Sequence, residues 1–285
     1  MNQEIINLYD EYTHKPLTRK DFLRRLAILT GSTAAALSIL PMLDLNYASA
    51  ATIPVDDDEL FTENIKYAGD SCEMQAYVAR PKKDGKYATV IVIHENRGLN
   101  AHIEDVTRRV AKAGYLAIAP NALAALGTLP TNEDEVRAQF AKLDPKQTLN
   151  NFVKAFEYAS TRKDSNSKFG CVGFCWGGAM ANNLAVNMPT LKAAVAFYGR
   201  QPEAAGVSKI KSAVQLHYGG LDERVNAGIP AYEAALKEHN VRHEIYIYEG
   251  VNHAFHNDTA AARYNETAAK LAWDRTLKFF KTNLA

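Results

Sequence analysis

Cysteine is scarce in this chain. Cys72, Cys171 and Cys175 are the three in 285 residues, too few for a disulfide framework. Neither sign of charge is in excess: 33 basic residues face 32 acidic ones, a net charge of +1, which leaves no electrostatic footprint for nucleic acid. Internal repeats and low-complexity tracts are missing, and no linker follows residue 60. The one extended apolar stretch, Leu26 to Leu45, is broken by Pro41 and Asp44 and makes a poor bilayer span. His94, His217, His253 and His256 are scattered, with no H-E-x-x-H or paired-cysteine spacing, so no metal and no cofactor are expected. What is present is ordinary globular chemistry, 47% hydrophobic and 23% charged. The chain is long enough to bury a large core. Wholesale disorder, a collagen-like repeat and a disulfide-stapled mini-protein are excluded.

The first fifty residues read as an address rather than as fold. Arg24 and Arg25 precede the mild apolar stretch, and Ala48-Ser49-Ala50 is a small-x-small cleavage pattern. Just upstream, Thr18-Arg19-Lys20-Asp21-Phe22-Leu23-Arg24 is similar to a twin-arginine export signal, with Lys20 in place of the second arginine. The expectation is an export signal over 1–50, handed to the export machinery and removed, a single domain over 51–285, and a periplasmic location. If the Arg19-Lys20 pair is not recognised, the protein is cytoplasmic and the segment is a frayed basic arm.

Beyond it, strand and helix patterns alternate. Ala88 to Ile93 is a continuous apolar run rich in β-branched residues, the pattern of a strand buried on both faces. Strands are also expected at 73–79, 116–119, 169–174, 193–198, 213–218 and 243–248. Helices are expected at 101–113, around 131–142, at 147–161, from about 177 to 186, near 229–239 and over 259–281. Such alternation implies an α/β fold with a mostly parallel central sheet and helices on both faces. Ligands then bind beyond the carboxyl ends of the strands.

Three polar groups fall at that edge. Cys175 sits in Gly173-Phe174-Cys175-Trp176-Gly177-Gly178, where glycines two before and two after permit a sharp strand-to-helix turn. The turn lifts the thiol above the sheet, at a helix N-terminus that favours thiolate. Asp222 follows the strand 213–218; taken alone, it reads as a turn or N-cap aspartate. His253 follows the last strand, with His256 as a competitor. Nucleophile, acid and base in this order, each past a separate strand, match the α/β-hydrolase arrangement. His253 accepts the thiol proton and Asp222 holds its tautomer. Oxyanion donors are expected from the backbone N–H of Trp176 and of Asn96, in the loop His94-Glu95-Asn96-Arg97-Gly98.

The chain resembles the dienelactone hydrolase family from about Thr62 onward. GFCWGG at 173–178, AVAFYG at 194–199, YGGLDERV at 218–225 and YEGVNHAFHN at 248–257 carry the resemblance, with HENRG at 94–98 and GYLAIAP at 114–120. It implies an α/β-hydrolase fold and a Cys175, Asp222, His253 triad, favouring His253 over His256. It also implies that Glu95 contacts the nucleophile in the resting enzyme and helps deprotonate it when substrate binds. Negative charge nearby keeps a thiol neutral until that charge is rearranged. Two arginines that grip the substrate carboxylate in the family have no counterpart here: one matches the segment after Pro120, the other Asn257. Arg97 and Arg200 are the candidate replacements.

The expected activity is hydrolysis of a small-molecule carboxylic ester or lactone through a thioacyl-enzyme on Cys175. A non-catalytic small-molecule binder on the same scaffold is the alternative. A thiol redox role is disfavoured, because Cys175 has no C-x-x-C partner.

Overall fold

The computed structural model describes residues 1–15, 17–44, 52–127 and 133–285. Its centre is an eight-stranded sheet. In chain order the strands are β1 (Leu60–Ala68), β2 (Glu73–Pro81), β3 (Tyr87–Ile93), β4 (Leu116–Pro120), β5 (Ser165–Phe174), β6 (Ala193–Phe197), β7 (Ala213–Gly219) and β8 (His243–Tyr248). Across the sheet they run β1-β2-β4-β3-β5-β6-β7-β8. β2 is antiparallel to both of its neighbours, and every pairing from β4 to β8 is parallel. This is the expected α/β-hydrolase architecture.

The two-residue period of a strand explains why β3 is apolar throughout. Val90 and Val92 join Ala117, Ala119 and Val172 on one face, beneath Ile103 and Val106 of α4 (Ala101–Lys112) and Phe280 of α10 (Glu266–Asn283). Ile91 and Ile93 face the other way. They pack with Phe152 of α6 (Pro145–Thr161), Leu184 of α7 (Trp176–Asn187) and Leu236 of α9 (Ile229–Glu238). Local chemistry sets the helix ends. Asn100 caps the Ile103 N–H at the start of α4, and Gly114, at φ 97°, follows its end. Asp144 caps α6, with Pro145 in its first turn.

Three differences from expectation have physical reasons. Strand β1 lies at the sheet edge, paired with β2 alone, and is largely open to solvent. Thr62, Glu63, Asn64 and Lys66 dilute the apolar signal there. The last helix starts at Glu266 rather than at 259, because the Asn265 side chain caps the Ala268 N–H. The amino-terminal segment, read as an address without fold, is helical where described. It forms α1 (Gln3–His14), α2 (Arg19–Thr30) and α3 (Thr33–Leu43), capped by Asn2, Thr18 and Ser32. These helices gather Leu8, Tyr9, Tyr12, Phe22, Leu26 and Leu43 into a small core of their own. Two further helices, α5 (Glu133–Phe140) and the short α8 (Glu223–Asn226), fall between α4 and α10 in chain order, and neither belongs to the small core. No single described helix is long and apolar enough to cross a membrane; α2 and α3 pass that test only together, bent by 110°. Ala48-Ser49-Ala50 lies outside the described residues.

Candidate active site

Strand β5 ends at Phe174, and α7 begins two residues later. Cys175 between them adopts φ 56°, ψ −112°, a backbone state that costs of order 1–3 kcal/mol for a non-glycine residue. The surroundings enforce it. A Cβ on Gly173 would meet the Gly177 carbonyl oxygen at 1.9 Å, and one on Gly177 would meet the Ile93 carbonyl oxygen at 2.3 Å. The glycine frame is therefore a packing requirement as well as a turn signal. The Cys175 N–H donates to the Phe197 carbonyl at 3.0 Å, which fixes the elbow to β6.

Asp222 opens α8, directly past β7. One carboxylate oxygen accepts from the Val225 N–H at 3.3 Å; the other bonds His253 Nδ1 at 2.5 Å. It thus acts as helix cap and imidazole partner at once, and the two readings of this residue are compatible. Both side chains are buried, and the His253 Nε2 has no hydrogen-bond partner. Cys175 and His253 line one cavity of about 640 Å³ with Asn96, Trp176, Tyr198 and Arg200. His256 points elsewhere: it stacks on Phe174 at 5.1 Å, and burial holds its imidazole neutral, well below its ordinary pKa.

Other expected residues divide. Trp176 is the first residue of α7, where backbone N–H groups lack an intrahelical acceptor, and its indole stacks on His94 at 5.3 Å. Asn96 also lines the cavity, and its side chain donates to the Thr13 carbonyl at 2.9 Å. Arg200 is exposed at the cavity rim. Arg97 is not among the cavity-lining residues; its guanidinium donates to the Tyr9 hydroxyl at 2.9 Å, so it anchors α1 instead. Glu95 also departs from the arrangement that the resemblance implied. Its carboxylate accepts from the Tyr198 hydroxyl at 3.3 Å and from the Asn257 amide at 2.9 Å, and the thiol's hydrogen bond goes to another residue. Asn257 is short and neutral where the resembled enzymes carry arginine, and here it holds Glu95.

That other residue is His14, which sequence reasoning missed together with Asp10. Its Nε2 lies 3.1 Å from Cys175 Sγ, and its ring meets the His253 ring edge-on at 4.8 Å. One face of α1 makes the approach. Asp10 and His14 are one turn apart and lie 3.2 Å from each other, while Arg224 and Arg263 reach Asp10 from the body at 3.4 and 3.7 Å. Burial opposes charge on His14, but Cys175 and Asp10 outweigh it and raise its pKa to about 9. Burial likewise opposes charge on Asp10, and His253, His14 and Arg263 together hold its carboxyl well below the usual range. The i,i+4 spacing of Asp10 and His14 was a legible helical signal. What hid it was the basic and apolar export pattern next to it.

The sequence profile of the Dienelactone hydrolase family matches residues 74–284. Two relatives, both provisionally named carboxymethylenebutenolidase, come from Saccharolobus solfataricus and Methylorubrum extorquens. The first is 31% identical, covering 77% of this chain and 98% of the relative. The second is 30% identical, covering 90% of this chain and 92% of the relative. Among solved structures, one from Klebsiella pneumoniae, provisionally named a dienelactone hydrolase, is 30% identical. It superposes with a TM-score of 0.70, covering 78% of this chain and 98% of that one.

Proposed function

The chain belongs to the dienelactone hydrolase family, and from that premise we propose that it hydrolyses small carboxylic esters or lactones through a thioacyl-enzyme on Cys175. The observation that carries this reading is the Asp222–His253 hydrogen bond beside a thiol on a strained elbow, within one cavity. His253 takes the thiol proton through its unpartnered Nε2. Cys175 Sγ bonds to the acyl carbon, and the carbonyl oxygen gains charge facing the Trp176 and Asn96 N–H groups. The carbon–oxygen ester bond breaks, and His253 returns the proton to the leaving alkoxide. Water then attacks the thioester carbon and gives a proton to His253. The carbon–sulfur bond breaks, His253 returns its proton to sulfur, and the acid product leaves, giving up its remaining proton to solvent as it becomes carboxylate. Arg200 at the rim supplies a cation for an acidic substrate.

A panel of small activated esters and lactones tests the reading. Turnover by the full chain and its loss in Cys175→Ala is the expected result; equal turnover by that variant removes the nucleophile assignment.

Export belongs to the same proposal. Arg19-Lys20 ahead of an apolar stretch supports it, as does the combined length of α2 and α3. Sequencing the amino terminus of chain purified from the periplasm tests it, and a start near residue 51 is expected. Finding only uncleaved chain in the cytoplasm contradicts it. Cleavage there would remove His14 from the cavity.

A further inference from the structure

His14, Cys175 and His253 each point one ligand atom into the same space, and these atoms lie within 4.8 Å of one another. We propose that in the uncleaved chain they form a binding site for a borderline-soft divalent cation such as Zn²⁺, and that the bound ion blocks the nucleophile.

The donor set argues first. A thiolate and two imidazoles suit zinc, whereas hard cations such as Mg²⁺ or Ca²⁺ prefer oxygen. Size agrees. Zinc bonds of about 2.0–2.1 Å to nitrogen and about 2.3 Å to sulfur set tetrahedral donors roughly 3.3–3.6 Å apart. The His14 Nε2 to Cys175 Sγ distance is 3.1 Å. No pair in the trio is more than 4.8 Å apart, so the longest separation has to close by about 1.5 Å or less, on the zinc–ligand distances just given.

The surroundings argue independently. Metal-binding histidines characteristically give the far ring nitrogen to a carboxylate or carbonyl, which fixes the tautomer and aims the near nitrogen. Both histidines have that arrangement. His253 Nδ1 is held by Asp222 at 2.5 Å; His14 Nδ1 is held by the Asp10 carbonyl at 2.8 Å and lies 3.2 Å from the Asp10 carboxylate. Most directly, His253 Nε2 is buried without any partner, and the His253 side chain is 5% exposed. A buried polar atom left open in this way is costly unless something fills the position. The cavity leaves a fourth coordination position for water.

The inhibitory half of this proposal rests on Cys175 being the hydrolytic nucleophile; the binding half does not. The full chain, stripped with a chelator, should be titrated with Co²⁺ and then Zn²⁺. Expected are one ion per chain, a near-ultraviolet thiolate-to-cobalt charge-transfer band that Zn²⁺ abolishes, and protection of Cys175 from iodoacetamide. Cys175→Ser should lose the band. His14→Ala should bind at least tenfold more weakly; its side chain belongs to α1, so the central sheet keeps its packing in that variant. Absence of the band in the full chain, or unchanged affinity in His14→Ala, overturns the site. Saturating Zn²⁺ should suppress ester hydrolysis, reversibly by chelator. An ion that binds without suppressing turnover overturns the inhibition. A stripped chain that hydrolyses no ester strikes the functional reading and leaves the binding result standing.

Discussion

The α/β body and the amino-terminal helices are held by different means. In the body, two continuous apolar layers sandwich the sheet, and the site follows from where the strands stop. The amino-terminal helices have a small core built on Tyr12 stacked over Phe22 at 4.3 Å. They meet the body through polar contacts: Gln3 with Asn252, Arg97 with Tyr9, Asn96 with Thr13, and Asp10 with two arginines. The body sets the Cys175 thiol in the cavity by backbone geometry, and the segment reaches it by docking. A chemistry-bearing side chain can therefore arrive from outside the family fold.

Four perturbations would sharpen or break this contrast. The largest effect is expected for Cys175→Ala, with a loss of about a thousandfold or more in ester turnover. Circular dichroism should show an unchanged fold, and a small loss would mean that the elbow is not the reacting centre. Next is Gly177→Ala in the body. The new Cβ would sit 2.3 Å from the Ile93 carbonyl oxygen and 2.5 Å from that of His94, both backbone atoms. The expected cost is about 4 kcal/mol or more in denaturant unfolding. A wild-type midpoint would show that the elbow tolerates a shift.

The third concerns acid. Burial lowers the His94 pKa to about 4 and that of His217 to about 3. The unfolded chain therefore binds protons that the folded body does not, and stability falls as pH drops below about 6.5 toward those values. Once pH lies below its folded value, His94 removes about 3 kcal/mol and His217 about 5 kcal/mol. Urea unfolding at pH 7 and pH 4 checks this, and equal midpoints would contradict it. The smallest effect is Tyr12→Leu, which loses the stack on Phe22, worth about 1 kcal/mol. Amide exchange should rise in α1 and stay unchanged in β3 and β5. A uniform rise would mean that the two regions open together.

The sequence made the body legible because its signals are local and redundant. The apolar run of β3, the glycines around Cys175 and the strand-terminal positions of Asp222 and His253 each point to one architecture. Edge strand β1 escaped because an edge needs little apolar surface. Arg97 and Glu95 were assigned to the right loop but not to the right partners, because Tyr9 and Asn257 are far away in the chain. His14 escaped for a different reason. Nothing local says which surface a short amphipathic helix will cover, and the neighbouring export pattern offered a sufficient account of the segment.

The central claim is that Cys175, His253 and Asp222 act as one unit. Its most direct test is an acid quench of the Asp222→Asn variant during turnover of an activated ester, followed by peptide mass spectrometry. That variant keeps the thiol but weakens the imidazole that activates the hydrolytic water. An acyl group on the peptide bearing Cys175 is the expected result. An acyl group on another residue, or none while turnover continues at the unaltered rate, would contradict the account.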